Sequence, residues 1–165
     1  MRKQQYNTPM KRNRWPWGFV FLYCLMIFRN SWMSSPASQH MSMTVMQHIL
    51  PLLKHVGLSI ADPLLFHFYI RKLAHFTEFA GLGFLVWTIS SFKPLTRQRR
   101  WDCLLFLLLI PCLDEMIQLF IPGRSGAWRD ICIDGAGFSC GLFLASFFFF
   151  LTRSLYALCY ADSRK

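Results

Sequence analysis

The sequence predicts an all-α membrane protein, a bundle of four transmembrane helices whose N- and C-termini both lie in the cytoplasm. Of its 165 residues, 54% are hydrophobic and only 16% are charged, whereas soluble domains carry about 25% charged residues. The apolar residues form long runs with few charges, and short basic clusters separate these runs. A soluble core could not bury several such runs, and a chain of this length is ordinarily one domain. We therefore predict a single transmembrane domain over 15–152.

The first helix is predicted at about 15–33. The preceding segment 1–14 contains five basic residues and no acid, which predicts a cytoplasmic N-terminus. Trp15 and Trp17 at the start of the helix and Trp32 at its end are typical of membrane interfaces. The apolar run is shorter than the roughly 20 residues that a full span needs. A cleaved signal peptide, with the small residues after the run as its cleavage site, is therefore the alternative.

The region 34–70 is predicted to be an external loop of mixed composition. Within it, MTVMQHILPLLKHVGLSIA places apolar residues at helical spacing, and Pro51 is expected to kink or split any helix there. A short segment lying along the membrane interface fits this pattern. The alternative is ordinary packing of the same apolar residues against the other helices.

Three further transmembrane helices are predicted at about 71–92, 102–121 and 130–152, followed by a cytoplasmic tail over 153–165. A basic loop, KPLTRQRRW, separates the first two, and PGRSGAWR makes a tight connection between the last two. In this topology twelve basic residues lie on the side of the two termini and six lie on the opposite side. The positive-inside rule therefore places both termini in the cytoplasm.

Acidic residues are concentrated where the predicted helices reach the external face. Five of the eight acids in the chain lie there: Glu78, Asp114, Glu115, Asp130 and Asp134. At 1.5 Å per residue, Glu78, Glu115 and Asp134 lie about 10, 9 and 6 Å below the external ends of their helices. Because a carboxylate that faces lipid costs several kcal/mol, these groups are predicted to face the bundle interior. The sequence thus predicts a polar pocket that opens outward.

Helical spacing predicts which side chains share a face of each helix. His75 and Glu78 are three residues apart and lie on one face of the second predicted helix. Asp134, Gly137 and Gly141 form a stripe on the fourth predicted helix, and the two glycines allow a neighbouring helix to approach closely. Packed faces that carry charged groups predict a polar centre rather than a lipid-facing surface.

The basic residues near these acids are candidates for binding an anionic group, because arginine pairs bidentately with phosphates and carboxylates. The predicted ligand-binding set combines them with the acids and two further polar residues: Arg71, Lys72, His75, Glu78, Asp114, Glu115, Gln118, Arg124, Asp130 and Asp134. Arg129 is a further candidate counter-charge. The alternative is a network that only cross-links the helices, in which His75 bonds within its own turn and Asp130 only caps its helix.

Two blocks of sequence carry a family resemblance. Residues 71–85 contain R-K-x-x-H-x-x-E-aromatic, and residues 114–137 contain D-E-x-x-Q-x-F-x-P-G-R followed by D-x-x-x-D and glycine. In both blocks the chain resembles the VanZ-like family of small bacterial membrane proteins, and IFRNSWMSS over 27–35 is a weaker match to the Ser-containing end of the family's first helix. The resemblance implies a multi-pass protein of the bacterial inner membrane with a general task at the cell envelope. The family's namesake is associated with resistance to the glycopeptide antibiotic teicoplanin, and a response to such antibiotics is the narrower expectation.

The predicted partners are membrane lipids or lipid-linked components of the cell envelope, which a non-enzymatic protein would bind or modulate through its external pocket. No cofactor is predicted, and no residue is assigned as a metal ligand. The alternative is a membrane enzyme that acts on lipid-linked envelope substrates, with catalytic candidates His75, Glu78, Asp114 and Glu115. Such an enzyme would use acid–base chemistry or a divalent metal on carboxylates, because hard cations prefer oxygen ligands. The metal candidates are Glu78, Asp114, Glu115 and Asp134.

Two other classes of function fit the charge distribution less well. Nucleic-acid binding would require basic residues along one polar surface, whereas here they lie in clusters between apolar runs, so no nucleic-acid partner is predicted. Acids and a histidine within a membrane are also typical of proton-coupled carriers. In the predicted cytoplasmic halves of the helices, however, Asp102 is the one acidic residue, and it lies at the edge. A proton relay to the inside is therefore not predicted.

Overall fold

The computed structural model describes residues 15–57, 60, 62–91, 97–124 and 126–162. All regular structure in these ranges is helical, which confirms the predicted all-α class. The five helices are α1 (Trp17–Ser31), α2 (Ser35–His55), α3 (Pro63–Ser91), α4 (Arg97–Leu119) and α5 (Trp128–Asp162). Outside the described residues lie the predicted basic segment 1–14, residues 58, 59 and 61 of the predicted external loop, residues 92–96, residue 125 of the last connection and the tail residues 163–165.

α2 occupies most of the region that the sequence predicts to be a loop. The helix follows Ser34 and carries Pro36 in its first turn, where a missing N–H breaks no helical hydrogen bond. It also continues through Pro51, which was expected to interrupt it. Pro51 and Gln47, whose carbonyl loses its helical partner, are both exposed, so the helix tolerates the defect on its outer side. α2 packs against α3. This is the second predicted alternative for the region, in which its apolar residues pack against the other helices.

α3 begins at Pro63, well before the predicted start at 71. The Asp62 side chain accepts hydrogen bonds from the backbone N–H groups of Leu64 (2.9 Å) and Leu65 (3.1 Å). This is the capping arrangement that carboxylates favour at helix starts, and proline suits the first helical position. The Asp-Pro pair was therefore a start signal that the sequence analysis did not use.

α5 is the one helix among the described residues that is long and apolar enough to cross a membrane, over Trp128–Tyr160. Its 35 residues span about 52 Å at 1.5 Å per residue, which exceeds the roughly 30 Å of a bilayer core. The helix therefore includes part of the predicted tail. α4 likewise starts at Arg97 rather than 102, inside the predicted basic loop. The predicted four-span topology is taken up below as a proposal.

α3 and α5 form the central pair of the bundle, and glycines set their separation. A Cβ atom at Gly83 would lie 2.0 Å from the carbonyl oxygen of Phe138, and one at Gly141 would lie 1.9 Å from that of Ala80. At Gly137 the corresponding distance is 2.3 Å, to the carbonyl oxygen of Phe76. The two backbones are thus in direct contact, as the predicted glycine stripe on the last helix requires.

The apolar core lies beside this contact, on the side of α1 and α4. Its fully buried members come mainly from α1 and α3, with one each from α4 and α5: Val20, Cys24, Ile27, Phe79, Leu82, Val86, Ile89, Ile110 and Phe138. Much of the outer surface is also apolar, and a run of exposed phenylalanines, Phe147–Phe150, faces outward from α5. Large continuous apolar surfaces of this kind are not typical of soluble monomers.

Candidate functional site

The predicted site residues lie at one end of the bundle, where five chain segments meet. α3 contributes residues 71–78, the last turn of α4 contributes 114–118, and the first turns of α5 contribute 130–134. The connection after α4 contributes Arg124, and the end of α1 adds Asn30 and Ser31. Hydrogen bonds and ion pairs link these segments, as described below. The structure thus gathers the residues that the sequence analysis assigned to one depth.

Asp114 is the centre of a buried hydrogen-bond network. Its carboxylate is 0% exposed and accepts one hydrogen bond from the Ser31 hydroxyl (2.5 Å) and one from the Gln118 side-chain amide (3.0 Å). The Nη1 of Arg124 donates to the carbonyl oxygen of Ser31 (3.1 Å). The network therefore connects α1, α4 and the connection that leads to α5, and it holds the Asp114 carboxylate in one orientation.

The two glutamates of the set each have one partner that ties neighbouring segments together. The Asn30 side-chain amide donates to Oε1 of Glu78 (2.7 Å), which joins α1 to α3. The backbone N–H of Ala127 donates to Oε2 of Glu115 (2.9 Å), which fixes the chain just before α5. Oε1 of Glu115 is buried without a hydrogen-bond partner among the described residues. Both glutamates therefore position the walls of the site.

Lys72 and Asp130 form an ion pair between α3 and α5. Both side chains are largely buried, at 22% and 14% exposure, so the pair does not lie on open surface. Asp130 therefore does more than cap its helix, which was the predicted alternative, because it also pairs with Lys72 on α3. The pair uses one acid and one base of the predicted set to join two helices.

His75 and Asp134 face each other across the α3–α5 interface. Nδ1 of His75 lies 3.9 Å from Oδ1 of Asp134, which is too far for a hydrogen bond. Asp134 is 0% exposed, and neither of its carboxylate oxygens has a hydrogen-bond partner among the described residues. Nδ1 of His75 makes no hydrogen bond to a described residue, so it does not bond within its own turn, which was the predicted alternative. Asp134 is thus a buried acid whose bonding capacity is unused.

Donor atoms from three residues of the site could reach a single cation. One ligand atom each from His75, Asp114 and Asp134 lies within 4.8 Å of the others. This trio differs from the carboxylate set considered from the sequence, because it includes the histidine and does not include Glu78 or Glu115. Glu78 and Glu115 accept hydrogen bonds from Asn30 and Ala127 instead.

A cavity of about 620 Å³ lies between α2 and α3 beside these groups. Its polar end is formed by Asn30, Arg71, His75, Glu78 and Arg124. Its remaining wall is largely apolar and comes from both helices, with Met41, Val45, Ile49, Ile70 and Leu73 among its members. The sequence did not predict this apolar wall, because the residues of α2 were expected to form a loop.

Arg71 and Arg124 bring two positive charges to the polar end of the cavity. Neither forms an ion pair with a carboxylate among the described residues, and Nε of Arg124 is buried without a hydrogen-bond partner there. Burial lowers the pKa of Arg124, and the positive charge of Arg71 lowers it further. Arginine nevertheless stays protonated in proteins. The two guanidinium charges therefore repel each other at the polar end of the cavity.

Arg129 does not belong to the site. It is exposed, and its guanidinium carbon lies 5.9 Å from the centre of the Trp128 ring, a cation–π arrangement. Asn30, Ser31 and Tyr23, whose hydroxyl donates to the backbone carbonyl of Glu78 (3.1 Å), are site residues that the sequence analysis did not assign. The weak family match over 27–35 was the available signal for the first two.

Comparison with known families identifies the family of this chain. The family model described as VanZ/LLP1 matches residues 17–150, which include every residue of the site and all five helices except the end of α5. No curated protein and no solved structure matches the chain. The predicted resemblance is confirmed: this chain belongs to the VanZ/LLP1 family.

Proposed function

We propose that this protein is a multi-pass protein of the bacterial inner membrane that binds an amphiphile with an anionic head group, such as a phospholipid or a lipid-linked envelope precursor. The observation that carries the proposal is the cavity between α2 and α3, which has apolar side chains along its wall and, at one end, two arginines that form no ion pair among the described residues. A ligand that matches both ends must combine a phosphate or carboxylate with a hydrocarbon chain. Membrane lipids have this chemistry.

The membrane placement is supported by where polar and apolar groups lie. α1, α3, α4 and α5 would cross the bilayer, and Asp114, Glu115, Gln118 and Asp134 are all buried in the bundle, as charged groups within a membrane must be. Asp114, Glu115 and Gln118 lower the mean apolarity of α4, and Arg71, Lys72 and Glu78 lower that of α3. The outer surface, by contrast, presents many exposed phenylalanines and leucines, which lipid would cover.

The anionic head group is proposed from the chemistry of Arg71 and Arg124. Both line the cavity, and each guanidinium offers paired donors that match a phosphate. An anion placed between them would remove their mutual repulsion and would satisfy the buried Nε of Arg124. Glu78 and Asn30 bond to each other, so this carboxylate is restrained at the same end of the cavity. The site therefore suits a ligand that has an anionic group for the two arginines and, close to it, a hydrogen-bond donor for the Glu78 carboxylate.

The hydrocarbon part of the ligand is proposed from the size and lining of the cavity. Its volume of about 620 Å³ falls within the range of roughly 300–1,000 Å³ that is typical of small-molecule sites. Met41, Val45 and Ile49 of α2 face Ile70 and Leu73 of α3 along it. Methionine suits such a surface because its flexible side chain adapts to different chain shapes. α2 thus supplies the wall that an acyl or prenyl chain would contact.

We expect Arg124→Gln to weaken binding of a phosphate-bearing lipid by about tenfold to a hundredfold, since charge-assisted hydrogen bonds contribute about 1.5–3 kcal/mol. Purified protein in maltoside detergent would be titrated with short-chain phosphatidic acid and with a polyprenyl phosphate, and bound lipid would be counted by native mass spectrometry. Arg129→Gln is the matched control, because that arginine is exposed and outside the cavity. Equal binding by both variants, or equal binding of phosphatidylcholine, would contradict the proposal.

Catalysis on the same ligand is the second candidate function, favoured by His75 and Asp134. A histidine and a buried acid with unused bonding capacity are groups that general acid–base catalysis could use. The titration above separates the two functions if each lipid is also analysed after incubation. Release of phosphate or a changed lipid, abolished by His75→Gln, would identify an enzyme. Unchanged lipid throughout would support binding alone.

The proposed topology predicts which cysteines react from outside the cell. In a variant without the other cysteines, Arg129→Cys is expected to react with a membrane-impermeant maleimide in intact spheroplasts, because position 129 is exposed beside the external turn. Native Cys159, exposed near the end of α5, is expected to react only after the membrane is permeabilised. Labelling of Cys159 in intact spheroplasts would instead place the C-terminus outside.

A further inference from the structure

We propose that His75, Asp114 and Asp134 bind one divalent transition-metal ion at the inner end of the polar site. The three residues belong to α3, α4 and α5, so the ion would join the three helices that form the site. The proposal goes beyond lipid binding, because the cation can bind whether or not the cavity holds a lipid.

The spacing of the donor atoms is close to that of a bound ion. Metal–ligand distances of about 2.0–2.2 Å for nitrogen and oxygen place ligand atoms roughly 3–4.2 Å apart across the ion. His75 Nδ1 and Asp134 Oδ1 already lie 3.9 Å apart, and all three donors lie within 4.8 Å of one another. Small side-chain rotations would therefore complete the coordination without moving a helix.

The hydrogen bonds of Asp114 and Asp134 indicate a ligand site rather than a network that only cross-links helices. Asp134 is fully buried, and both of its oxygens lack hydrogen-bond partners among the described residues. An ionised carboxylate in an apolar interior is strongly disfavoured unless it takes up a proton or a cation compensates its charge. Asp114 is held by Ser31 and Gln118, and hydrogen bonds of this kind typically orient metal-ligating carboxylates. A network that only cross-linked helices would engage Asp134 in the same way.

The charge of the site also favours a divalent cation. When ionised, its five carboxylates exceed the charges of Arg71, Lys72 and Arg124 by a formal two units, and Lys72 is already engaged by Asp130. The arginines lie at the cavity end, whereas Asp134 does not line the cavity. A doubly charged ion between Asp114 and Asp134 would balance the excess where it is buried.

The donor set indicates which ions fit. Imidazole suits zinc, iron and copper, whereas carboxylates suit manganese and magnesium, so one imidazole with two carboxylates fits Mn²⁺ or Zn²⁺ best. Three protein ligands leave at least one coordination position for water or another oxygen ligand. His75 lines the cavity as well as the ion site. An anionic head group held by the arginines would therefore lie beside the open position.

Manganese titration of the purified protein tests this site. Wild-type protein, stripped with a chelator and held in maltoside detergent that contains no phosphate, is expected to bind one Mn²⁺ per chain, counted by loss of the free Mn²⁺ signal in electron paramagnetic resonance. Pulsed spectra are expected to show coupling to an imidazole nitrogen, and Zn²⁺ is expected to compete. His75→Gln should remove this coupling, and Asp134→Asn should weaken binding at least tenfold. Arg71→Gln should leave Mn²⁺ binding intact, because Arg71 lines the cavity and is not part of the hydrogen-bond network of Asp114, and this result separates the metal site from the lipid site.

Asp130→Asn is the matched control, because Asp130 lies one turn earlier on the same helix and bonds to Lys72 outside the trio. It is expected to retain the nitrogen coupling and an affinity within about twofold of wild type. Absence of nitrogen coupling in wild-type protein would overturn the proposal, and so would unchanged affinity in Asp134→Asn. If a variant fails to fold, the wild-type spectrum alone decides between these outcomes.

Discussion

Gly141→Ala is expected to destabilise the folded bundle by about 3 kcal/mol or more, at the upper end of what overpacking costs. The added Cβ would lie 1.9 Å from the carbonyl oxygen of Ala80 and 2.8 Å from the backbone nitrogen of Phe84. These are backbone atoms, so no side-chain rotation can make room and α3 must move away from α5. Because both helices carry site residues, the movement should also separate His75 from Asp134. Unfolding by dodecyl sulphate titration in mixed micelles measures the loss.

Gly135→Ala is the matched control for this prediction, since it makes the same change on the same helix. The nearest atom to a Cβ there is Leu107 Cδ1 at 3.7 Å, an ordinary contact. Alanine exceeds glycine in helix propensity by about 1 kcal/mol, so this variant should be as stable as wild type or slightly more stable. Equal stability of both variants would show that α3 and α5 are not in backbone contact.

Asp114→Ala is expected to lower the free energy of unfolding by about 3 kcal/mol, as removal of one partner from a buried charged network typically does. The change leaves the Ser31 hydroxyl and the Gln118 amide buried without an acceptor, and each such donor costs about 1–3 kcal/mol. Ser31→Ala alone should cost less. The double variant should cost less than the sum of the two, because the Ser31–Asp114 hydrogen bond is lost only once.

Asp134→Ala, measured in protein stripped of metal, provides the contrast. Asp134 is as buried as Asp114, but no described residue donates to its carboxylate. Its removal takes a polar group without a hydrogen-bond partner out of the interior and leaves no donor that had depended on it, so stability should stay equal or rise. If both variants lost stability equally, Asp134 would be a structural residue, and the proposal that it awaits a cation would fail.

The stabilities of the Asp114 and Asp134 variants also test whether the charged residues form a ligand site or only cross-link the helices. Glu115 and the Lys72–Asp130 pair hold segments together, as the alternative interpretation of the sequence requires. Among the described residues Arg71 and Arg124 form no ion pair with a carboxylate, and Nε of Arg124, Nδ1 of His75 and both Asp134 oxygens lack hydrogen-bond partners. The two groups lie side by side. The structural bonds therefore form a frame that presents the remaining charged groups to a ligand.

Much of the fold could be predicted from local patterns in the chain. Apolar run lengths indicated helices at α1, α3, α4 and α5, and the glycine stripe at Gly137 and Gly141 indicated close packing before any partner was known. α2 was missed because Pro51 was given more weight than the surrounding helical spacing. The early start of α3 was missed although Asp62 and Pro63 form a recognisable cap. In both cases the deciding interaction was local, so closer attention to the sequence could have found it.

The sequence by itself determined the family, the all-helical class and the collection of charged residues at one end of the bundle, because residue spacing along a helix fixes depth and face. Tertiary structure alone decided which of those residues are paired. Lys72 could have paired with any nearby acid, and only the approach of α3 to α5 places Asp130 beside it. Likewise, Ser31 and Gln118 engage Asp114, while no residue that the structure describes donates to Asp134. Pairing depends on distances of a few ångström between different helices, which spacing within one helix does not determine.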